Sequence, residues 1–175
     1  AEVGHHVIAV IRTLPPNHEL WQELMGEVIV GDIRSEDTLQ KIVDCQAEVF
    51  INTISLNHHV SGKNVAETLA VNVQPTWTLL DRLSRQGIRY IYLIKQQVYG
   101  KLSEGTISEE RDTRPLNGYG LTHLLSEQIC DYYNNITEGN RICLRLSNGY
   151  GAPLFASNDC WWLVVNDFCK AAMNE

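Results

Sequence analysis

Short apolar runs alternate along this chain with longer segments whose apolar residues recur at helical spacing. The apolar runs are bounded by polar or turn residues and predict strands at residues 6–11, 27–30, 48–52, 89–94 and 141–146. The helical spacing predicts helices at residues 35–44, 63–86, 118–135 and 160–173. Strands alternating with helices in this way predict βαβ units, and therefore an α/β fold with one parallel sheet between two layers of helices.

Residues that start and end helices support these boundaries. Ser35 is the first residue of the predicted helix 35–44, a position where a serine hydroxyl is a common N-cap. Gly87 follows the helix 63–86, where a glycine is expected to adopt the left-handed C-cap conformation.

Composition narrows the class of protein. The 175 residues fit one domain, of which 44% are hydrophobic and 20% charged. A net charge of −7 without a Lys/Arg cluster disfavours nucleic-acid binding. No apolar stretch approaches the roughly 20 residues of a membrane span. The five cysteines form no CxxC pair and are odd in number, which indicates a reducing, cytoplasmic setting. No carboxylate or cysteine accompanies His58 and His59 at zinc-site spacing, so no metal is expected.

The chain contains no phosphate-binding glycine loop. Neither G-x-G-x-x-G nor a P-loop pattern occurs, although a dinucleotide-binding sheet carries such a loop after its first strand. Residues 1–7 resemble the end of one helix and the start of a second strand. We therefore expect that a first βα unit is missing; the alternative is a protein that never had one.

Five motifs occur in a fixed order. The first three, in chain order, are Gly31-Asp32-Ile33-Arg34, Val71-Asn72-Val73 and Val98-Tyr99-Gly100. The fourth lies on a predicted helix, where Tyr119 and His123 are one turn apart on one face and Ser126-Glu127-Gln128 follows. The fifth is Arg145-Leu146-Ser147-Asn148 with Tyr150-Gly151. In this order the five motifs resemble an extended short-chain dehydrogenase/reductase of the NAD-dependent sugar epimerase/dehydratase group.

The resemblance implies a fold and partners. It implies a single Rossmann-type, doubly wound NAD(P)-binding domain over residues 1–175, without a C-terminal substrate domain. The implied cofactor is NAD or NADP, and the implied substrate is a nucleotide-sugar. It also implies a homodimer formed through helices 63–86 and 118–135, with no nucleic acid and no membrane.

The resemblance further implies the role of each site residue. Tyr119 would be the acid/base, with His123 and Lys95 completing the catalytic group. Arg12 sits where ribose is read and would leave room for a 2′-phosphate, although it could be a solvated strand-end charge. The implied cofactor contacts are Arg12, Asp32, Ile33, Thr53, Ile54, Ser55, Asn72, Tyr119, His123, Leu146 and Ser147. Gln97 and Asn148 would contact the substrate.

Two positions depart from the family pattern. His123 stands where the family has a lysine, and Lys95 stands where it has a serine or threonine. Tyrosine has a pKa near 10 and needs a nearby cation to act as a base at neutral pH. Histidine is mostly neutral at that pH, and a lysine ammonium cannot accept a proton.

Three interpretations of these departures remain open. The site has lost activity and the protein is a dinucleotide-binding, regulatory or scaffold subunit; or Lys95 supplies the cation while His123 binds ribose or relays protons; or the sequence itself is altered at positions 94–95. His58 and His59 either face the substrate or form a polar loop pair.

Overall fold

The computed structural model describes residues 4–15, 19, 25–102, 104–153 and 160–173. Its strands are β1 (Ile8–Ile11), β2 (Glu27–Val30), β3 (Val49–Asn52), β4 (Arg89–Lys95) and β5 (Arg141–Leu146). Its helices are α1 (Glu36–Asp44), α2 (His58–Ser61), α3 (Val65–Asn72), α4 (Gln74–Leu83), α5 (Gly118–Ile136) and α6 (Val164–Met173). Short 3-10 turns cover Ser84–Gln86 and Gln96–Tyr99. The predicted alternation of strands and helices is confirmed.

The predicted helix 63–86 is instead two helices. The chain leaves helical geometry at Val73, with φ −115° and ψ −54°, and α4 then restarts with Pro75 in its first turn. Proline lacks the N–H that would continue the hydrogen bonds of α3, so it fits a helix start and not a helix interior. The segment ends at Gly87 with φ 70°, which confirms the predicted left-handed cap.

Four smaller predictions need correction. β1 begins at Ile8 and not at residue 6, and His58–Ser61 is a short helix and not a loop. The last helix begins at Val164 and not at 160, because the carbonyl of Cys160 accepts from the backbone of Leu163 in a turn and from the Asn166 side chain. Ser35 precedes α1, but its hydroxyl makes no capping hydrogen bond.

All strand pairs are parallel. β1 pairs with β2, and β3, β4 and β5 form a second hydrogen-bonded piece in that order. The register joins Asn52 to Tyr92 and Lys95 to Leu146. Among the described residues no ladder joins β1 to β3. Because parallel strands end on the same side of a sheet, the loops after β3, β4 and β5 meet at one edge.

The core lies between the three-stranded piece and the helices. Tyr90, Tyr92 and Ile94 alternate along β4 and are fully buried, as the two-residue period of a strand requires. They pack in one cluster with residues of α1 and α4. An Arg82–Glu36 ion pair also joins α4 to α1. No helix in the described ranges is long and apolar enough to cross a membrane.

Candidate active site around Tyr119

Close backbone packing fixes the position of Tyr119 in the first turn of α5. The side chain of Asn117 caps α5 by accepting from the backbone of Gly120 at 2.8 Å. A Cβ on Gly120 would lie 2.6 Å from the carbonyl oxygen of Gln97, so only glycine allows the helix to approach the turn after β4 this closely. The first turn of α5 therefore lies against the carboxyl end of β4.

The side chain of Ser55, which follows β3, acts on the phenol of Tyr119. The phenol is half-buried, and its burial raises the pKa of Tyr119 above 10, while the side-chain hydrogen bond with Ser55 lowers it. Burial is the larger effect, since removing a phenolate from water is costly. Tyr119 is therefore a weaker acid here than in water.

His123 lies where the sequence predicts, one turn along α5 from Tyr119. The two rings meet edge to face with centroids 4.5 Å apart. His123 is only 1% exposed, with Nε2 3.4 Å from Ser55 Oγ and Nδ1 3.4 Å from the Tyr92 hydroxyl. Burial, and then the charge of Lys95, lower the pKa of His123 to about 4. The ring is thus neutral at pH 7 and is no substitute for a lysine cation.

Lys95 ends β4 and is half-buried. Its charge acts on His123, but it is not one of the two influences that shift the pKa of Tyr119. In this arrangement burial, and then the ammonium, keep the imidazole neutral, and the two influences on the pKa of Tyr119 include no cation. These shifts give no support to the interpretation in which Lys95 supplies the cation for Tyr119.

Asn72 connects three parts of the site. Its Oδ1 accepts from the backbone of Leu56 at 2.8 Å, and its Nδ2 donates to Thr122 Oγ1 at 3.0 Å. The carbonyl of Asn72 accepts from the Ser126 hydroxyl at 2.9 Å. Asn72 therefore holds the loop after β3 against the helix that carries Tyr119. The structure places it beneath the site, as a buried positioning residue.

The loop after β3 forms one wall of the site. Thr53 is exposed, and Ile54 and Ser55 are half-buried. The backbone of Ile54 donates to Asn52 Oδ1 at 2.9 Å, and Asn52 Nδ2 donates to the Tyr90 hydroxyl at 2.8 Å. Buried asparagine side chains thus fix this loop, although the sequence alone gave its residues only a role as cofactor contacts.

The predicted adenine side follows β1 and β2. Arg34 donates to Asp32 Oδ1 from its backbone and from Nε, each at 2.9 Å. These bonds, with a smaller effect of the Arg12 charge, lower the pKa of Asp32 to about 2. Ile33 is buried and belongs to the core cluster, whereas Arg12 is exposed. Asp32 is thus an ionised carboxylate at the carboxyl end of β2.

The opposite side of the site follows β5. Leu146, Ser147 and Asn148 are exposed there, and Gln97 is half-buried with a buried Oε1 that has no hydrogen-bond partner. A cavity of about 600 Å³ opens beside Leu146 and Ser147. Arg145 in the same motif is not free for a ligand, since it pairs with Glu127 at 2.7 Å and donates to the Tyr99 hydroxyl at 2.9 Å.

Sequence reasoning missed two residues of this site. Tyr92 contacts His123, and Thr122 connects Asn72 to α5, but neither belongs to a motif. The available signal for Tyr92 was its alternation with Tyr90 on β4, which puts both phenols on one buried face.

The described residues hold no cluster of three or more metal-binding side chains. His58 lies beside Tyr119, with ring centroids 6.5 Å apart, and the ring of Trp162 lies 4.9 Å from that of His58.

Comparison with known proteins decides the family. A sequence model described as the NAD dependent epimerase/dehydratase family matches residues 1–160. The chain belongs to this family. The resemblance drawn from the five motifs is therefore confirmed, and so is the fold of parallel sheets flanked by helices.

Two known proteins are similar to this chain over part of their length. The low-salt glycan biosynthesis protein Agl12 of Haloferax volcanii is 27% identical over 138 residues, which is 78% of this chain and 42% of that protein. UDP-glucose 4-epimerase 4 of Oryza sativa subsp. japonica is 30% identical over 127 residues, which is 69% of this chain and 34% of that protein. The chain thus spans less than half the length of these relatives.

Solved structures show the same fold. MoeE5 in complex with UDP-glucuronic acid and NAD superposes with a TM-score of 0.77 at 24% identity, covering 97% of this chain and 54% of that one. UDP-glucuronic acid 4-epimerase from Bacillus cereus in complex with NAD gives a TM-score of 0.73 at 24% identity, covering 85% and 50%. At this identity the likeness extends to the fold alone.

Proposed function

We propose that this epimerase/dehydratase-family domain binds NAD or NADP together with a nucleotide-sugar, and that it oxidises a sugar carbon transiently through Tyr119. The observation that carries the proposal is the position of Tyr119. Its half-buried hydroxyl lies beside the loop after β3, at the carboxyl edge of the sheet. Ligands of open α/β sheets bind at that edge.

The residues at this edge fit most of a dinucleotide. The Asp32 carboxylate offers acceptor oxygens on the adenine side, and the loop after β3, with the exposed Thr53 and the half-buried Ser55, offers hydroxyls on the nicotinamide side. His123 is too buried for a ribose contact, so Ser55 and Tyr119 take that role in our proposal. The pyrophosphate has no glycine-rich turn among these 175 residues. Arg12 is exposed where the adenosine ribose would bind, so both NAD, which lacks a 2′-phosphate, and NADP, which carries one, are tested.

Tyr119 would remove the proton of a sugar hydroxyl during the reaction. The bound dinucleotide would supply the hydride acceptor for the same carbon. Exposed Asn148 and the amide of Gln97, whose Oε1 lacks a partner, are the side chains that we assign to sugar binding. Because the pKa of Tyr119 is raised, the working form with a phenolate is scarce at neutral pH, and turnover is slow.

A second candidate function follows from the same electrostatics. With the Tyr119 pKa raised and His123 neutral, the described site holds no cation that stabilises a phenolate. A family member of this kind could bind dinucleotide and sugar without turning them over, as a regulatory or scaffold subunit. The two candidates share the binding step and differ only in the chemical step.

One experiment separates them. We would titrate the full-length protein calorimetrically with NAD and NADP, add UDP-sugars, and then follow reduced nicotinamide and product between about pH 7 and pH 9. Turnover that rises with pH and disappears in Tyr119→Phe, while dinucleotide binding remains, supports the enzyme. Binding without turnover supports the subunit. A folded protein that binds neither dinucleotide contradicts both.

We also propose a homodimer through α3, α4 and α5. These helices carry exposed apolar side chains, namely Val65, Leu69, Trp77, Leu121, Tyr132 and Ile136. A surface groove of about 420 Å³ lies along α3 and α4 beside Trp77. Apolar helix faces of this kind are typical of interfaces between identical subunits, and a second copy presents the same surface.

We further propose that the domain is one unit completed by a strand between β1 and β3. Among the described strands β3 pairs only with β4, so its other edge is free, and Val49 and Ile51 on one face of β3 are exposed. Exposed, unpaired apolar strand edges are rare in stable sheets because they accept further strands. Hydrogen exchange of β3 amides in the full-length protein would test this proposal, which predicts protection on both sides of the strand.

A further inference from the structure

A hydroxyl reaches Tyr119 from a different strand than the sequence led us to expect. Lys95, the last residue of β4, occupies the position from which the family pattern supplies a serine or threonine. Ser55, in the loop after β3, instead lies in the group around Tyr119. Its Oγ is 3.4 Å from Nε2 of His123, whose ring meets that of Tyr119 with centroids 4.5 Å apart, and its side chain lowers the pKa of Tyr119. We propose that Ser55 is the positioning residue that orients the Tyr119 hydroxyl and stabilises its phenolate. This inference rests on the proposed function of Tyr119 as the acid/base.

The backbone around Ser55 is held by two buried side chains. The N–H of Ile54 donates to Asn52 Oδ1 at 2.9 Å, and the N–H of Leu56 donates to Asn72 Oδ1 at 2.8 Å. Asn52 and Asn72 are both almost fully buried. The residues on either side of Ser55 are thus anchored, so its side chain meets Tyr119 with little loss of conformational freedom. Preorganisation of this kind is what makes a hydrogen bond effective in a site.

A neutral imidazole is a suitable neighbour for this hydroxyl. At pH 7 the His123 ring carries one N–H donor and one bare nitrogen acceptor. Nε2 can therefore either donate to Ser55 Oγ or accept from it, according to where the serine hydroxyl points, while Nδ1 lies 3.4 Å from the Tyr92 hydroxyl. An imidazolium could only donate. Burial, with a smaller effect of the Lys95 charge, keeps His123 neutral and thereby preserves both choices.

The proton accounting needs no additional group. In the resting state the Ser55 O–H donates to the carbonyl of Leu56 at 2.9 Å, which leaves Ser55 Oγ able to accept from the phenol O–H. Ionisation of Tyr119 releases the phenol proton to solvent, and the Ser55 O–H then turns from that carbonyl to the phenolate. The phenolate then takes the proton of the sugar hydroxyl and regains its own O–H bond. Ser55 keeps its proton throughout.

The test measures ionisation at residue 119 without any ligand. Replacing Tyr119 of the full-length protein with 3,5-difluorotyrosine, whose phenol ionises at a lower pH than tyrosine, places the titration in a range where the fold survives. The fluorine NMR shift then reports the pKa. Ser55→Ala should raise that pKa by about one unit, because it removes a hydrogen bond to the charged form, and Ser55→Thr should restore it.

Ser61→Ala is the matched control. The Ser61 hydroxyl is buried in the same loop region and donates to the same carbonyl of Leu56, at 3.1 Å. This control should leave the pKa of residue 119 unchanged. An unchanged pKa in Ser55→Ala, or an equal rise in Ser61→Ala, overturns the proposal. If circular dichroism shows that Ser55→Ala does not fold, Ser55→Cys replaces it; its thiol is a weak donor and should give part of the same rise.

Kinetics supply the second readout. In protein with the natural Tyr119, Ser55→Ala should move the rise of kcat with pH upward by the same amount and leave the KM for the sugar nearly unchanged. A merely structural role would instead change both parameters without moving the pH profile. The fluorine titration still decides the role of Ser55 if no turnover is found. If the parent protein binds no dinucleotide while Ser55→Ala still raises the pKa of residue 119, the proposed function is contradicted and the Ser55–Tyr119 pair stands.

Discussion

Asn72→Asp is the sharpest test of how the site is held together. The change is isosteric: Oδ1 still accepts from the backbone of Leu56, but the Nδ2 donor that faces Thr122 becomes a second carboxylate oxygen. Asn72 is 1% exposed, and no ion pair in the described structure involves a residue adjoining it. Burial of an uncompensated carboxylate raises its pKa by about 3 units in such a position.

The cost follows from that shift. An unfolded Asp has a pKa near 3.9, so the folded carboxyl would titrate near 7. Below about pH 4 both states are protonated, and the carboxyl O–H can donate to Thr122 as the amide does, so little stability is lost. As pH rises from 4 to 7 the unfolded state releases its proton first. The free energy of unfolding then falls by about 1.4 kcal/mol per pH unit, or about 4 kcal/mol in all.

Urea unfolding at a series of pH values measures this loss. With a urea dependence of about 2 kcal/mol per M, the midpoint at pH 7 should fall by about 2 M, and the difference should nearly vanish at pH 4. Asn64→Asp is the control, since Asn64 caps α3 at the surface and aspartate is an equally good cap. A loss that is independent of pH, or a variant as stable as the parent at pH 7, would refute the reasoning.

Three further outcomes are expected. In the parent protein the free energy of unfolding should fall by about 1.4 kcal/mol per pH unit as pH falls from 6.5 towards 4, because the folded pKa of His123 near 4 disfavours protonation. His123→Gln should remove this loss, and urea midpoints across that range check it. Gly100→Ala should cost more than about 2 kcal/mol, since φ is 71° and a Cβ would lie 2.0 Å from the carbonyl oxygen of Arg114, whereas Gly62→Ala should cost little; thermal unfolding compares them. Trp77→Arg should turn the dimer into a monomer in sedimentation without loss of helicity, because Trp77 is 55% exposed in the proposed interface.

The periodic parts of the fold could be predicted from the sequence. Strand β5 and helix α5 lie almost where the apolar pattern places them, because each buries one regular face against the core. The break at Val73 was missed because apolar spacing continues across it, and only Pro75 signalled the restart. The late start of α6 depends on Asn166, whose side chain donates to the carbonyl of Cys160. Side-chain hydrogen bonds of this kind do not show in the apolar pattern of a sequence.

The site was predictable as a set of residues but not as a set of contacts. The one-turn relation of Tyr119 to His123 follows from helix geometry alone. The contact of Ser55 with both of them depends on how β3 lies beside β4 and on the asparagines that hold the loop, so no local pattern predicts it. The neutral state of His123 is likewise a result of burial, which only the folded chain defines.

The division of the sheet has a consequence for how the molecule comes apart. The β1–β2 pair, which carries Asp32, is joined to the rest through α1 and its contacts with α4, including the exposed Arg82–Glu36 pair. The three-stranded piece instead contains the fully buried tyrosines of β4. Where the strand proposed between β1 and β3 is absent, we expect the two pieces to open as separate cooperative units, with amides of β2 exchanging well before those of β4. Mild denaturant should then release the adenine side while the environment of Tyr119 is still native.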